Sequence, residues 1–348
     1  MTLQDVLDGA GVPGAAALVA HGDDVEIAAT GELNPDSICR IASITKPIVA
    51  TAVLQLVDDG LVRLDDPIAR WLPELASPNV VRTPQSPVDD LVPANRAVTV
   101  EDLLTFRAGW GFPPDFSLPA VGELFQKIPL FDSPMPLDEW LATLATVPML
   151  AQPGEMWLYN TASDIQGALI ARVSGKSLPE FLAERIFEPL GMTDTAFSVP
   201  ADQADRLPTY YGADHEPIDG GAWLKPPIFP SGAGGLVSTL ADWHRFGRML
   251  LADDGSVVSQ ESLRLMTTDH LTREQRAAST VFLDGAGWGF GGSVGPDGRY
   301  GWVGGTGTTA HVLPSNGTVG VLLTQVQMPG PAPVPLMRGF WKYAFGNS

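Results

Sequence analysis

The chain of 348 residues has a single cysteine, Cys39, so no internal disulfide can form. Basic residues are also scarce, because 21 lysines and arginines stand against 40 aspartates and glutamates, for a formal net charge of -19. Nucleic-acid-binding proteins concentrate Lys and Arg, so a nucleic-acid partner is not expected, and docking on anionic lipid is disfavoured for the same reason. The acidic balance indicates a soluble surface.

Long apolar runs and metal-binding motifs are missing as well. No run approaches the ~20 apolar residues that a membrane-spanning helix needs. The apolar patch within residues 1–22 is preceded by acidic rather than basic residues, so we predict a strand there and not a signal peptide. The five histidines form neither H-x-x-x-H nor H-E-x-x-H. We therefore expect a cytoplasmic protein that needs no metal and no cofactor, and that has no membrane partner.

β-type segments are found towards both ends of the chain. Segments 14–21 and 25–30 flank a Gly-Asp-Asp turn and predict a hairpin. After residue 286, apolar segments are separated by Pro-Asp-Gly and Ser-Asn-Gly turns, which indicates further strands. Between these ends, helical patterns alternate with Pro-rich loops. Helices are predicted over 99–107, 137–146, 162–174, 178–188, 239–252 and about 333–345.

This order of elements predicts an α/β fold of the α+β type, in which an antiparallel sheet is flanked by helices as an α/β/α sandwich. Residues 1–60 and 226–348 are expected to form the sandwich domain. Residues 61–225 are expected to form a mostly helical inserted domain. The active site should then lie in the cleft between the two.

A polar cluster opens the otherwise apolar stretch that ends at Gly60, its predicted helix C-cap. Ser43 and Lys46 are three residues apart and therefore lie on one helical face. A helix N-terminus favours negative charge, which stabilises a serine oxygen as it becomes an alkoxide. Burial beside the apolar face would lower the pKa of the Lys46 ammonium, so that the amine can act as a base. The simpler alternative is a serine N-cap followed by a surface lysine.

The pattern S-x-x-K arises by chance in roughly a quarter of such chains, so the surrounding sequence has to support it. Its place after a first hairpin resembles the serine β-lactamase and penicillin-binding-protein superfamily. The resemblance is greatest to the class C β-lactamase-related branch of esterases and acyltransferases. It extends over nearly the whole chain, through segments 60–75, 99–111, 153–175, 184–197 and 231–243.

The resemblance implies two further elements of a catalytic site. Tyr159, in Tyr159-Asn160-Thr161, matches the family's second catalytic residue. Its phenol could be ionised beside Lys46 or share a proton with it. Gly304 and Gly305 match the glycine-lined strand, so that the backbone N–H groups of Ser43 and Thr306 would form an oxyanion hole. Substrate contacts are expected from Trp302, Val303, Gly304, Gly305, Asn160 and Trp110.

Two departures from the family pattern bear on the substrate. Val303 stands where the related strand carries a lysine that binds a substrate carboxylate, and Thr161 replaces an asparagine that contacts the substrate's amide. An apolar valine cannot pair with an anion, and burying an unpaired anion costs several kcal/mol. Neutral esters are therefore expected to bind better than carboxylate-bearing substrates, unless Arg107 or Arg299 supplies a substitute charge. Segment 109–137, rich in aromatics and prolines, is a candidate acyl pocket or cap.

Other motifs are weaker. Gly291–Gly295 matches G-x-S-x-G around Ser293, but a turn follows where the nucleophile elbow needs a helix. Gly287–Gly292 matches G-x-G-x-x-G, again without the helix that would hold a pyrophosphate. His311 lies five residues beyond Thr306, roughly 16 Å along a strand at 3.3 Å per residue, which is too far for it to act as a base there.

We therefore predict a serine hydrolase that works through an acyl-enzyme, namely a carboxylesterase with transacylase capacity on small-molecule esters. The alternatives left open are a β-lactamase or D-amino-acid peptidase, an acyltransferase or amidase, and a catalytically silent binding relative. Retention of Ser43, Lys46 and Tyr159 together speaks against the last of these.

Overall fold

The computed structural model of the protein describes residues 2–130, 133–218, 221–252 and 255–346. Its strands are β1 (Gly14–His21), β2 (Asp24–Gly31), β3 (Cys39–Arg40), β4 (Asn79–Val81), β5 (Leu91–Pro93), β6 (Tyr210–Tyr211), β7 (Pro217–Ile218), β8 (Val237–Ser238), β9 (Gly287–Trp288), β10 (Ser293–Val294), β11 (Tyr300–Gly304), β12 (Thr308–Leu313) and β13 (Thr318–Thr324). Its α-helices are α1 (Leu3–Asp8), α2 (Lys46–Asp58), α3 (Val100–Leu104), α4 (Pro119–Lys127), α5 (Leu137–Leu144), α6 (Thr161–Ser174), α7 (Leu178–Leu182), α8 (Glu188–Leu190), α9 (Leu240–Ala252), α10 (Gln260–Met266), α11 (Arg273–Ala278), α12 (Thr280–Leu283) and α13 (Pro335–Phe345).

The main sheet has seven strands in the order β2-β1-β13-β12-β11-β10-β9, and its neighbouring strands pair antiparallel. The predicted N-terminal hairpin is β1 and β2, closed by the turn at Gly22. Strand β1 then pairs with β13 near the other end of the chain, with Ala17 opposite Leu322. Both ends of the sequence are thus joined in one sheet, as the sequence pattern predicted.

Helices cover both faces of this sheet. On one face, α1 and α13 pack against alternate residues of β1, and the resulting apolar cluster includes Leu7, Ala17 and Phe340. On the other face, α2 and α9 belong to the larger apolar core. The alternation of side chains along a strand places successive β1 residues in these two cores. The α/β/α sandwich is therefore confirmed.

The middle of the chain supplies helices, as predicted, and their ends differ from the sequence-based ranges by a few residues. The helix predicted over 178–188 starts as α7 and passes through a π-helical turn, Ala183–Phe187, before α8. Helix α4 lies within the Pro-rich segment 109–137, of which residues 131 and 132 lie outside the described residues. The large apolar core is continuous from the sheet into these helices. The division at residues 60 and 226 stays a prediction.

Helix α2 is buried along almost its whole length, from Lys46 to Leu56. Pro47 is tolerated because it lies in the first turn, where its missing N–H has no helical acceptor. The helix ends at Asp58, and Asp59 is its C-cap. Gly60 follows with a φ of 71°, a left-handed conformation that glycine adopts without strain. In the part of the chain that the structure describes, no helix is long and apolar enough to cross a membrane.

Candidate active site

Ser43 lies in a short 3-10 turn, Ala42–Thr45, that leads directly into α2. The residue before it, Ala42, has a φ of 46°, which an L-residue rarely adopts. Such conformations persist only where the surroundings fix them, and they cluster at functional sites. Here the surroundings are strand β11, since a Cβ built on Gly304 would lie 2.5 Å from the carbonyl oxygen of Ile41.

The amine of Lys46 has three polar neighbours. Its Nζ lies 2.9 Å from Ser43 Oγ, 3.0 Å from Asn160 Oδ1 and 2.5 Å from the carbonyl oxygen of Ala233. The last two oxygens can only accept hydrogen bonds. A neutral amine has two hydrogens and one lone pair, so when Asn160 and Ala233 take the hydrogens, the lone pair faces the hydroxyl of Ser43.

Burial favours this neutral form. The side chain of Lys46 has no exposed surface. Desolvation lowers the pKa of Lys46 to about 7, although the nearby Asp164 carboxylate opposes this shift. The amine is therefore available as a base near neutral pH, which an ordinary surface lysine is not.

Tyr159 is positioned by the backbone just before α6. A two-way backbone bridge joins it to Phe112, with N···O distances of 2.9 and 3.2 Å. Its ring packs against Phe112 and Phe282, with centroid distances of 5.6 and 5.0 Å. The next residue, Asn160, has a φ of 81°, so a strained residue adjoins Tyr159 as one adjoins Ser43.

The phenol of Tyr159 is hydrogen-bonded to Ser43 and accepts a hydrogen bond from Trp302 Nε1 at 2.7 Å. These bonds favour the ionised form, but burial outweighs them and raises the pKa of Tyr159 to about 12. The raised pKa favours a protonated phenol at neutral pH over the phenolate, the first of the two states considered for Tyr159. Lys46 Nζ lies 4.7 Å from the centre of the Tyr159 ring, over its face.

These groups open into a cleft of about 450 Å³. Ser43, Asn160, Gly305 and Thr306 line it together with Met328. Its aromatic wall consists of Phe112, Tyr159, Tyr210, Trp223, Phe282 and Trp302. The cleft is thus largely apolar around one reactive hydroxyl, as in many small-molecule sites.

The strand side chain that reaches Tyr159 is Trp302, one residue before the predicted position Val303. Val303 also lines the cleft and, on its other side, a small cavity of about 80 Å³. Trp302 and Val303 are both uncharged. Whichever of them corresponds to the lysine of related strands, this strand places no lysine beside Tyr159. Gly304 packs on the segment before Ser43 and is not among the residues that line the cleft, so the substrate contact predicted for it is wrong, whereas a Cβ on Gly305 would meet nothing within 4 Å.

Gly304→Ala is expected to lower both stability and activity, because the added Cβ would lie 2.2 Å from Thr308 Oγ1 and 2.5 Å from the Ile41 carbonyl oxygen. Overpacking of this kind costs about 1–3 kcal/mol. Thermal unfolding measures the loss. Gly305→Ala is the matched control, expected to unfold at the wild-type temperature because its Cβ has open space. Equal melting temperatures for both variants would contradict the close approach of β11 to Ser43.

Three sequence-predicted residues lie elsewhere. Trp110 is buried in the core, where its indole N–H donates to the carbonyl of Val147, so it does not contact the cleft. Arg107 bonds Glu101 and Thr105 in a polar surface groove. Arg299 lies over Trp341, in the small cavity behind β11. None of these placements allows the substrate contact or the substitute charge that the sequence suggested.

The cation that does line the cleft was not predicted. Arg40, just before the Ser43 turn, donates to the carbonyl of Pro208 and to Gln325 Oε1. Its guanidinium also lies over the ring of Tyr210. Its local sequence is apolar, and its partners come from distant segments, so no sequence signal identified it.

Asp164 is the second residue that the sequence analysis missed. It lies in the first turn of α6, four residues after Asn160 and therefore on the same helical face. That spacing was the available signal. Its carboxylate is buried and accepts hydrogen bonds from Ser231 Oγ and from the backbone N–H of Ala233.

The weaker motifs lie outside the cleft. Ser293 is on β10, and its hydroxyl donates to the carbonyl of Gly301. No helix follows it, because the chain turns into β11. His311 is buried on β12 beside Thr309 and lines the small cavity with Arg299. Among the described residues, no group of three or more His, Cys, Asp or Glu could hold a metal ion.

Comparison with known proteins shows the family of the chain. The Beta-lactamase family model matches residues 2–336. An uncharacterized protein of Mycobacterium tuberculosis is 39% identical over 315 residues, 83% of this chain and 78% of that protein. Esterase EstB of Burkholderia gladioli is 31% identical over 311 residues, 80% and 74% of the two chains. Lovastatin esterase of Penicillium rubens is 32% identical over 273 residues, 73% and 66% of the two chains.

Solved structures share the fold. EstCE1, described as a hydrolase with promiscuous acyltransferase activity, superimposes with a TM-score of 0.83 at 23% identity, over 99% of this chain and 96% of that one. Simvastatin synthase LovD from Aspergillus terreus gives 0.80 at 22% identity, over 97% and 94%. The family match covers nearly the whole chain, so the protein belongs to the beta-lactamase family. Within it, the chain is a serine hydrolase related to esterases.

Proposed function

We propose that the protein is a carboxylesterase that cleaves neutral esters through an acyl-enzyme on Ser43. The observation that carries this proposal is the hydroxyl of Ser43 between the buried amine of Lys46, 2.9 Å away, and the phenol of Tyr159. A serine oxygen is a weak nucleophile until a neighbouring base takes its proton. Lys46 is placed to take it.

Acylation then transfers, as its net result, the proton of Ser43 to the leaving alcohol. Ser43 Oγ bonds to the ester carbonyl carbon as its proton passes to Lys46 Nζ. In this proposal the backbone N–H groups of Ser43 and Thr306 stabilise the developing oxyanion. The carbonyl–alkoxide bond breaks, and the leaving alkoxide takes the proton of Tyr159, which the ammonium of Lys46 replaces. Water repeats the sequence on the acyl-enzyme and releases the acid.

The preference for neutral esters rests on the charges along the cleft. The strand residues beside Tyr159 are Trp302 and Val303, neither of which can pair with a carboxylate. Among the cleft residues that the structure describes, Arg40 is the one cation, and its guanidinium is engaged by Pro208 and Gln325. A substrate carboxylate at β11 would be buried unpaired, which costs several kcal/mol.

The direct test compares a short-chain nitrophenyl ester with a chromogenic cephalosporin. We expect the ester to turn over faster, with transient addition of the acyl mass to the protein. Strong cephalosporin turnover without ester cleavage would overturn the proposal in favour of a β-lactamase. A relative that favours this alternative is the carboxypeptidase/endopeptidase AmpH of Escherichia coli, 29% identical over 269 residues.

Transfer of the acyl group to an alcohol is a second candidate activity. The cleft of about 450 Å³ has room beyond one acyl group, and its aromatic wall would exclude water near the acyl-enzyme. Acyltransferase calJ of Penicillium decumbens is 26% identical over 266 residues. Adding an acceptor alcohol should then yield a new ester, and product that stays entirely free acid would restrict the activity to hydrolysis.

The activity should rise with pH through about 7 and then level. Acylation needs the neutral amine, and burial lowers the pKa of Lys46 from its usual 10.5 to about 7. The pKa of Tyr159, raised to about 12, leaves the phenol protonated over this range. Measuring kcat/KM between pH 5 and 9 with a non-ionising ester tests this. A rate that still climbs tenfold per pH unit at pH 9 would show that Lys46 is not desolvated.

A further inference from the structure

A buried carboxylate holds the loop that receives one hydrogen of Lys46. Asp164 Oδ1 accepts hydrogen bonds from Ser231 Oγ at 2.7 Å and from the backbone N–H of Ala233 at 3.0 Å. The carbonyl of the same residue, Ala233, accepts from Lys46 Nζ. One residue of the loop is thus bound at its N–H by the carboxylate and at its carbonyl by the amine.

The loop is also packed too tightly against α6 to shift on its own. A Cβ built on Gly232 would lie 2.4 Å from the carbonyl oxygen of Ser163, which precedes Asp164. Close backbone approach of this kind needs glycine. Gly232 therefore lets the loop come within reach of the carboxylate.

We infer that Asp164 is a positioning residue for the base: it fixes the Ala233 carbonyl that takes one Nζ hydrogen, and its charge favours the protonated form of Lys46. This inference rests on the proposed acyl-enzyme mechanism. The carboxylate does not touch the reacting atoms. It acts through the loop, which leaves the lone pair of the amine directed at Ser43, and through its charge.

The charged groups around Asp164 support a direct effect on Lys46. Lys46 faces it from α2, and Tyr159 lies just before its own helix. The acids of the other helices that pack on α6 are engaged elsewhere, Asp102 with Arg96 and Glu180 with Ser177. Burial raises the pKa of Asp164 to about 6, while its hydrogen bonds and Lys46 oppose this, so the two groups titrate as a pair around neutral pH.

The test is the pH dependence of the rate at which a fluorophosphonate labels Ser43, which needs no knowledge of the natural ester. Asp164→Asn removes the charge but keeps an acceptor oxygen. The ammonium of Lys46 then loses its favourable neighbour, so the acid limb of the labelling profile should move to lower pH, by on the order of one unit. Asp164→Ala also frees the loop, and its labelling should slow at every pH by about tenfold or more.

Asp242→Asn is the matched control. Asp242 is also buried, and it accepts hydrogen bonds from the backbone N–H of Asp194 and from the hydroxyl of Thr195. It forms an ion pair with Arg245. The acid limb of the labelling profile of Asp242→Asn should coincide with that of the wild type. If Asp164→Asn does not fold, Ser231→Ala is the substitute. It removes a hydrogen bond that stabilises the ionised carboxylate of Asp164, so a smaller shift of the acid limb to lower pH is expected.

The outcomes separate the two proposals. Wild-type protein that is not labelled at Ser43 overturns the proposed function, and the inference with it. Labelled wild type with an unshifted profile in Asp164→Asn overturns the inference alone. If Asp164→Asn and Asp242→Asn both lower the labelling rate without shifting its pH profile, the Asp164 carboxylate has a purely structural role. That result would also overturn the inference.

Discussion

Ser43→Ala is expected to abolish ester hydrolysis and acylation, with a loss of at least about 10³-fold in kcat. The hydroxyl is the group that both Lys46 and Tyr159 contact, so its removal leaves the base without a proton to take. The fold should survive, since the substitution only removes one hydroxyl at the cleft wall. Intact mass after incubation with an activated ester is the measurement: wild type should gain the acyl mass and the variant should not.

Ser293→Ala is the control for this variant. Ser293 lies in the competing G-x-S-x-G motif, and its hydroxyl serves only a hydrogen bond to the carbonyl of Gly301. Its loss should cost about 1 kcal/mol of stability and leave acylation intact. Acyl mass retained by Ser43→Ala and lost by Ser293→Ala would transfer the nucleophile to β10 and sink the proposed site.

Tyr159→Phe should have the second largest effect, on the order of 10²–10⁴-fold in kcat/KM for an alkyl ester. The phenol is hydrogen-bonded to Ser43, and burial raises its pKa to about 12, so it is a proton donor rather than a base. An alkoxide leaving group needs that proton, whereas a nitrophenolate hardly does. The loss should therefore be much smaller with a nitrophenyl ester than with an ethyl ester of the same acid.

Tyr300→Phe controls for the loss of a buried phenol. Its hydroxyl donates to the carbonyl of Phe290 and does not face the cleft. It should lower the melting temperature with little change in the ratio of the two ester rates. Equal losses on both esters in Tyr159→Phe would mean that the phenol positions Ser43 but does not protonate the leaving group.

Trp302 bears on the same phenol, because its indole N–H donates to Tyr159 Oη. The bond holds Tyr159 Oη beside Ser43, whose Oγ lies 2.9 Å from Lys46 Nζ. The indole thus contacts the phenol without placing a charge beside it.

Local pattern was enough to predict much of the fold. Two apolar segments on either side of a Gly-Asp-Asp turn predicted the hairpin of β1 and β2, because such a turn is a property of a short segment. The spacing of Ser43 and Lys46 placed both on one face at the start of α2, because helical neighbours are fixed by the backbone period. Helix ends were less exact, as the π-helical turn after α7 shows.

What the sequence by itself determined was therefore the order of elements and the pair Ser43 and Lys46. Only the tertiary structure decided that Trp302 rather than Val303 reaches Tyr159, that Trp110 stays in the core and that Asp164 lies behind Lys46. It also decided that the pKa of Lys46 is lowered and that of Tyr159 is raised. The reason is that desolvation and hydrogen bonding act through space, and residues far apart in the chain supply both.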